Sequence, residues 1–121
     1  MRKLLLLAVL FIGPKAFCTD GNTLLRWCEA TFEDNAKPAT LINEGQCFGY
    51  IYASIDSNQA WMESTGTNKN PSQNLCFPEG GAENGQLARI VIKYLKDHPE
   101  KLHYKADGLV YNALLTAFAC K

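Results

Sequence analysis

Cysteine placement limits the folds open to this chain more than any other feature. Four of its five cysteines follow residue 18, and they are Cys28, Cys47, Cys76 and Cys120. Four cysteines in a short exported chain indicate two disulfides. None of them forms a CxxC pair, which argues against a zinc site and against a thioredoxin-type redox centre. The sequence allows three pairings, and an up-and-down helical arrangement would bring Cys28 near Cys47 and Cys76 near Cys120.

Export itself is predicted from residues 1–18, which have the order of a secretory signal peptide. Arg2 and Lys3 precede an apolar run at residues 4–12, and a short polar stretch follows the run. This is the order that signal peptides share. The apolar run is far shorter than the roughly 20 residues that cross a bilayer, so we expect no stable membrane anchor.

The cleavage site has two candidates. Cleavage after Cys18 is favoured because it leaves small side chains at the positions that signal peptidase reads, and cleavage after Ala16 is the alternative. Phe17 before Cys18 argues against a lipoprotein. We therefore expect a periplasmic protein with a single mature domain at residues 19–121, since a chain of that length has room for one core.

Charge balance restricts the partners of this domain. Removal of residues 1–18 takes away three basic residues and no acidic one, so nine basic side chains face twelve acidic ones. A mildly acidic domain has no basic stripe that could neutralise phosphates. Nucleic acid is therefore not an expected partner.

Hydrophobic periodicity predicts two helices in the first half of the domain. Leu24, Leu25, Cys28 and Phe32 form a short stripe that favours a helix near residues 22–33. Residues 34–46 contain one proline, one glycine and two asparagines, and we expect a connector there with at most a turn of helix. A second stripe with helical spacing follows, and its members are Phe48, Ile51, Tyr52 and Ile55.

The second half predicts two further helices. The third has the clearest stripe, formed by Leu87, Ile90, Val91, Tyr94 and Leu95, with Asn84 as its expected N-cap. Pro99 should end it. The fourth carries Val110, Ala113, Leu114, Ala117 and Phe118 and ends at Cys120. The expected fold is all-α: a small bundle of four main helices, cross-linked by disulfides.

Residues 63–74 are polar throughout and predict a long exposed loop. A loop of that length is longer than the usual connection of about 4 to 6 residues, and Trp61 and Cys76 should pin its two ends. Such a segment suits recognition of a partner protein. The candidate partner-binding residues are Glu63, Ser64, Thr65, Asn68, Lys69 and Asn70. The alternative is a surface loop without a function.

Nothing in the sequence predicts catalysis, a metal or a cofactor. His98 and His103 lie between the third and fourth helices, where capping and packing explain them, and no third ligand is close in sequence. No serine has a GxSxG context, and paired cysteines leave no thiol for a nucleophile. We therefore expect a protein that is not an enzyme. Four aromatic residues are candidates either for partner anchors or for the core, and they are Trp27, Tyr50, Trp61 and Tyr111.

The order of several short segments resembles the Rap/Tai family of periplasmic immunity proteins. The segments are GNTLL at residues 21–25, CFGYI at 47–51, CFP at 76–78, GQLARIVIKYLKDHPEKLH at 85–103 and LVYNALLTAFACK at 109–121. Together they span nearly all of the mature chain. The chain departs from the family at Ala53 and Ser54, where a glycine is common, and at Ala119, where a proline is common.

This resemblance implies a mostly helical periplasmic protein that neutralises a peptidoglycan amidase effector delivered by a type VI secretion system. The effectors resemble papain-like cysteine peptidases, and inhibition consists of covering the catalytic cleft. Family members are often dimeric, so a homodimer is implied too. Two other functions would also suit an exported, cross-linked helical protein: a small periplasmic chaperone or stress protein, and a lysozyme-type inhibitor.

Overall fold

The structure is a computed structural model that describes residues 18–34 and 37–121, apart from the side chain of Asn68. These residues form four α-helices, and their bounds are α1 (Gly21–Glu29), α2 (Pro38–Thr65), α3 (Asn84–Asp97) and α4 (Ala106–Phe118). Short 3₁₀ turns and two isolated antiparallel β-bridges join the helices within the described part of the chain. The all-α prediction is therefore confirmed. Apart from Cys18, which is exposed, the predicted signal peptide lies outside the described residues.

Helix α1 begins with a side-chain cap and with a backbone hydrogen bond to the connection between α3 and α4. The Asp20 carboxylate accepts a hydrogen bond from the Thr23 backbone N–H at 2.8 Å, which satisfies one of the first amides of the helix. That bond holds the pKa of Asp20 below its ordinary value of 3.8. Gly21 is buried, and its N–H donates to the Tyr104 carbonyl at 3.2 Å. The first turn of α1 is thereby joined to the α3–α4 connection.

The helix predicted near residues 22–33 is present, but its inward stripe is shorter than expected. Leu24 and Cys28 are fully buried, whereas α1 ends at Glu29 and a 3₁₀ turn follows. Phe32 lies in that turn and is 41% exposed, with the guanidinium of Arg89 4.7 Å above the centre of its ring. The prediction that Phe32 packs inward is therefore wrong.

The predicted connector at residues 34–46 is wrong over most of its length, because α2 already begins at Pro38. Proline suits the first turn of a helix, where its missing N–H has no helical partner in any case. Gly45 and Asn43 lower helix propensity by only about 1 kcal/mol each or less, which does not stop a helix that tertiary packing stabilises. Cys47, Ile51 and Ser54 supply that packing on the buried side of α2.

Helices α3 and α4 agree more closely with the sequence. Leu87, Val91 and Leu95 face the core from α3, and α4 contributes its own buried residues, Ala106, Leu109, Val110, Ala113 and Leu114. Full burial of each large aliphatic side chain stabilises the fold by roughly 1.5 to 3 kcal/mol. Pro99 follows the end of α3 as predicted. The cap prediction is wrong by one position, since Glu83 is the N-cap and Asn84 is the first helical residue.

Both disulfides have the pairing that the up-and-down arrangement favoured. Cys28–Cys47 joins α1 to α2 inside the core, and both residues are fully buried. Cys76–Cys120 joins the chain before α3 to the end of α4 at the surface, where Cys76 is exposed and Cys120 is half-buried. The two bonds therefore cross-link the bundle at two different depths.

Candidate functional site

The structure divides the predicted partner-binding loop between a helix and two short turns. Glu63, Ser64 and Thr65 form the last turn of α2, Lys69 ends a 3₁₀ turn, and Asn70 precedes another. The side chain of Asn68 lies outside the described part of the chain. The other five residues are exposed. The loop therefore begins at Gly66 rather than at Glu63. The prediction that Glu63, Ser64 and Thr65 belong to the loop is wrong, because they are helical.

The last turn of α2 contains polar residues whose hydroxyls bond within the helix. The hydroxyls of Ser64 and Thr65 both donate to the Trp61 carbonyl, at 2.9 and 2.8 Å. Such bonds occupy a hydroxyl within the helix instead of drawing it to a competing turn. Gly66 then ends α2 in the left-handed conformation at φ 68°, which glycine adopts without steric cost. Composition alone did not reveal this helical ending.

Asn70 holds the shape of the loop through its side-chain oxygen. Its side-chain oxygen accepts hydrogen bonds from the Ser72 N–H at 3.2 Å and from the Ser72 hydroxyl at 2.8 Å. Glu63 accepts a bond from the Gln59 amide at 3.1 Å on the exposed side of α2. Among the described members of the predicted set, Glu63 and Lys69 are the two exposed charges that this surface offers to a partner.

A groove of about 270 Å³ lies beside the end of α2, and the sequence analysis missed it. Its apolar lining comes from Ile55, Met62, Leu75, Phe77 and Tyr111. Its polar lining comes from Asn58, Gln59, Glu63 and Asn74. Polar and apolar groups thus share the lining about equally, and a depression with both kinds of group can receive a side chain of another molecule. Glu63 belongs both to this groove and to the predicted set.

Tyr111 connects the groove to the loop. The Tyr111 hydroxyl donates to the Gln73 carbonyl and also lies 3.4 Å from the Met62 sulfur. Burial raises the pKa of Tyr111 above its ordinary value of 10. Because Tyr111 projects from the rigid helix α4, it fixes the last residues of the loop against the body of the protein.

The segment from Asn74 to Phe77, which we call the strap, forms one wall of the groove. The Cys76 N–H donates to the Phe118 carbonyl at 2.7 Å, and the Cys120 N–H donates to the Asn74 carbonyl at 3.0 Å. The rings of Phe77 and Phe118 are 5.0 Å apart. This confirms the predicted pinning of the loop at Cys76. Trp61 does not pin the other end with its side chain, which is 59% exposed.

The four aromatic candidates separate into core and surface residues. Trp27 and Tyr50 are half-buried against the core with ring centres 6.3 Å apart. Burial, and after it the negative charge of Asp107, raises the pKa of Tyr50. Tyr111 lines the groove, and Trp61 is the exposed one. These last two are therefore the ones that lie beside the groove and the loop.

The histidines have the structural surroundings that the sequence suggested. His98 caps the end of α3, its ring packs 4.4 Å from that of Tyr94, and its Nδ1 lies 3.2 Å from a Glu100 carboxylate oxygen. The His103 ring packs 4.4 Å from that of Tyr104. Within residues 18–34 and 37–121, no three His, Cys, Asp or Glu residues come close enough to hold a metal ion. Over the same residues, no helix has both the length and the apolar character needed to cross a membrane.

Fold and surface together define a small, disulfide-linked helical protein with a groove and an adjoining polar loop at one end. Comparison with known proteins identifies its family: the model of the Rap1a immunity proteins matches residues 20–120. The chain therefore belongs to the Rap1a immunity proteins, which confirms the resemblance drawn from the sequence. None of the curated proteins compared with the chain matches it.

Proposed function

We propose that this protein is a periplasmic immunity protein that binds a peptidoglycan amidase effector of a type VI secretion system and covers its active site. The observation that carries this proposal is the family match over residues 20–120. Immunity requires binding, and the protein acts without catalysis of its own. Two disulfides support an oxidising compartment such as the periplasm, where the substrate of an amidase lies.

The effector-binding surface is the predicted loop together with the groove beside it. Glu63 and Lys69 supply charges, while Tyr111, Met62 and Phe77 supply an apolar depression for an anchoring side chain of the effector. Interfaces of this kind concentrate their binding energy in a few buried contacts surrounded by a polar rim. We include all six predicted residues in the rim, namely Glu63, Ser64, Thr65, Asn68, Lys69 and Asn70.

Inhibition of a purified amidase tests this proposal. Oxidised protein comprising residues 19–121 is used to capture partners from periplasmic and secreted fractions, and any retained hydrolase is assayed on isolated peptidoglycan. We expect an enzyme that cleaves the peptide part of peptidoglycan and loses its activity at an equimolar ratio. Cleavage of glycan strands by the retained enzyme would identify a lysozyme-type inhibitor instead. Unchanged hydrolase activity at excess inhibitor would contradict the proposal.

Substitutions then test the surface. Asn68→Ala combined with Lys69→Ala should weaken effector binding by about tenfold or more, because removal of a useful interface contact costs over 1 kcal/mol. Tyr104→Ala is the matched control, since Tyr104 is 54% exposed but lies at the opposite end of α4. Equal affinities of the two variants and the wild type would exclude the loop from the interface.

The outer face of α2 supports a homodimer. Over about four turns this face is exposed and uncharged, and its residues are Leu41, Ile42, Gly45, Gly49, Tyr52 and Ala53. Leu41 is 57% exposed and Ile42 is 63% exposed. The buried residues of α2 lie on its other side. A helix that is apolar on two faces is typically covered on both.

A second copy of the chain fits this face because its charges are self-complementary. Antiparallel packing of two α2 helices about Gly45 and Gly49 places Lys37 of one copy near Asp56 of the other. A Cβ at either glycine would meet nothing within 4 Å in a single copy, so the two backbones could approach closely there.

Charge reversal tests the dimer. Lys37→Asp and Asp56→Lys should each shift the protein towards the monomer in light scattering after gel filtration, and the double variant should restore the dimer. Lys69→Asp is the matched control, because it makes the same charge change off this face. A monomeric wild type at high protein concentration would exclude the dimer and leave effector inhibition to be judged separately.

A further inference from the structure

The two disulfides differ in their access to reagents. Cys28 and Cys47 are fully buried, whereas Cys76 is exposed and Cys120 is half-buried. Reduction of a disulfide requires a thiolate to reach one of its sulfur atoms. In the folded protein an external thiolate can therefore reach Cys76, while Cys28 and Cys47 become reachable only when the core opens.

The accessible bond fastens a segment that glycines bracket. Gly66 precedes the segment with φ 68°, and Gly80 and Gly81 follow it with φ 88° and 82°. None of the three would meet another atom within 4 Å if a Cβ were added, so each lies in open space. Glycine can absorb large backbone changes at such positions. The segment between these glycines can therefore move as a unit once its attachment to α4 is released.

The attachment consists of few contacts besides the disulfide. Two backbone hydrogen bonds join the strap to the end of α4, the Phe77 ring packs 5.0 Å from that of Phe118, and the Tyr111 hydroxyl holds Gln73. Leu75 and Phe77 are only half-buried, and no residue of the strap belongs to the fully buried core. A segment with few buried apolar contacts opens more readily than the core does.

We propose that the Cys76–Cys120 disulfide is a redox-sensitive latch on the groove, which a dithiol reductant opens while Cys28–Cys47 stays intact. A thiolate of the reductant attacks the Cys76 Sγ, the S–S bond breaks, and Cys120 leaves as a thiolate that takes up a proton. The second thiol of the reductant then displaces Cys76. Two electrons and two protons pass to the protein, and the reductant becomes a cyclic disulfide.

The structural consequence is loss of one wall of the groove. Leu75 and Phe77 move away with the strap, while the wall formed by Met62 and Tyr111 stays on its helices. Its meaning for immunity rests on the proposed function: effector binding at the groove would then require an oxidising compartment. The opening of the strap does not depend on that function.

Graded reduction with dithiothreitol under native conditions tests the latch. Samples of residues 19–121 are quenched with iodoacetamide, and peptide mass spectrometry identifies the alkylated cysteines. We expect Cys76 and Cys120 to be alkylated together at least about tenfold faster than Cys28 and Cys47, with helical circular dichroism retained. Simultaneous alkylation of all four cysteines with loss of helix would overturn the proposal.

Hydrogen exchange of the selectively reduced protein gives the second measurement. The amides of Cys76 and Cys120, which bond across the strap and α4, should exchange at least about tenfold faster, while those of α1 and α3 should not change. The C76S/C120S double variant should show the same pattern, and C28S/C47S is the matched control. Unchanged protection of the Cys76 and Cys120 amides after selective reduction would also overturn the latch.

Effector affinity separates this inference from the proposed function. Once an amidase that the oxidised protein inhibits is in hand, its affinity for the selectively reduced protein should fall by about tenfold or more. If the strap opens and affinity is unchanged, the latch stands and the assignment of the groove to the effector interface fails.

Discussion

The two disulfide-bearing ends of this molecule differ in what surrounds them. Around Cys28–Cys47 and along α1 the chain is closely packed: Leu24, Ile51 and Val91 are fully buried, and a Cβ added at Gly21 would lie only 2.6 Å from Leu109 Cδ1. Around Cys76–Cys120 the chain is open to solvent, with a groove on one side and an exposed loop on the other. Close packing around Cys28–Cys47 stabilises the fold. At the Cys76–Cys120 end, the shape of the surface depends on the disulfide and on a few hydrogen bonds.

This difference indicates where a small domain can form a groove without losing the close packing that its stability requires. A core of this size must be closely packed to offset the entropy of folding, so its helices leave little freedom near α1. The groove lies instead where the chain crosses from α2 to α3, a connection that the bundle does not need to bury. Changes at the packed end should therefore alter stability, and changes at the open end should alter binding.

Removal of the buried disulfide should have the largest effect on stability. The Cys76–Cys120 bond closes a loop of 44 residues and the Cys28–Cys47 bond one of 19. Through the entropy of the unfolded chain alone, the first bond should stabilise the fold by only about 0.7 kcal/mol more than the second. Loss of two buried sulfur atoms costs about 1 kcal/mol each in packing and reverses that order. Urea denaturation should therefore show that C28A/C47A loses about 5 kcal/mol and more than C76A/C120A. The opposite order would mean that the packed end is no more sensitive than the open one.

A single methyl group at the packed end should have the next largest effect. The Cβ of Gly21→Ala would lie 2.6 Å from Leu109 Cδ1 and 3.0 Å from the Leu102 backbone. The Leu109 side chain can shift but the backbone cannot shift cheaply, so we expect a loss of about 1 to 3 kcal/mol in urea denaturation. Gly108→Ala is the control, because a Cβ there meets nothing within 4 Å. Equal stability of the two variants would show that α1 tolerates displacement.

The sequence predicted the packed end well because local patterns determine it. Leu24 and Cys28 on α1, and the stripes of α3 and α4, have the spacing of buried helix faces, and two pairs of cysteines then fit one arrangement. The largest failure lies in α2, while Phe32 and the N-cap of α3 are smaller ones. The one proline, the glycines and the asparagines of α2 signal a break, but Pro38 suits a first turn, and packing around Cys47 and Ile51 overrides the weak propensities.

The open end could be predicted only in part. Polar composition found the exposed surface near Lys69, but it could not show that α2 continues to Thr65, with the Ser64 and Thr65 hydroxyls bonded to the Trp61 carbonyl. The groove was invisible for a different reason: its lining comes from α2, the strap and α4, and no sequence pattern links Met62, Phe77 and Tyr111. Contacts between residues so distant in the chain appear only in the folded structure.

The N-cap of α1 should have a smaller and pH-dependent effect. Asp20→Ala removes the bond to the Thr23 amide and should cost about 1 kcal/mol at neutral pH. Because the pKa of Asp20 is lower in the folded protein, the carboxylate stabilises the fold above its unfolded value of about 3.8 and loses this effect as pH falls through the folded pKa. Thermal unfolding should thus show the gap between variant and wild type closing in acid. A gap that persists under acidic conditions would exclude the charged cap as its cause.

The smallest effect on stability, and a large one on binding, is expected at the open end. Tyr111→Phe keeps the ring in the groove but removes the hydroxyl that donates to the Gln73 carbonyl, so stability should fall by about 1 kcal/mol or less. The freed loop should cost effector affinity more than that, because a partner must then order the loop on binding. Tyr50→Phe is the matched control, since it removes a hydroxyl beside the Asp107 backbone, away from the groove and from the outer face of α2. If both variants bind the effector as the wild type does, attachment of the loop to α4 has no part in recognition. The two ends would then differ in their effect on stability but not in their effect on binding.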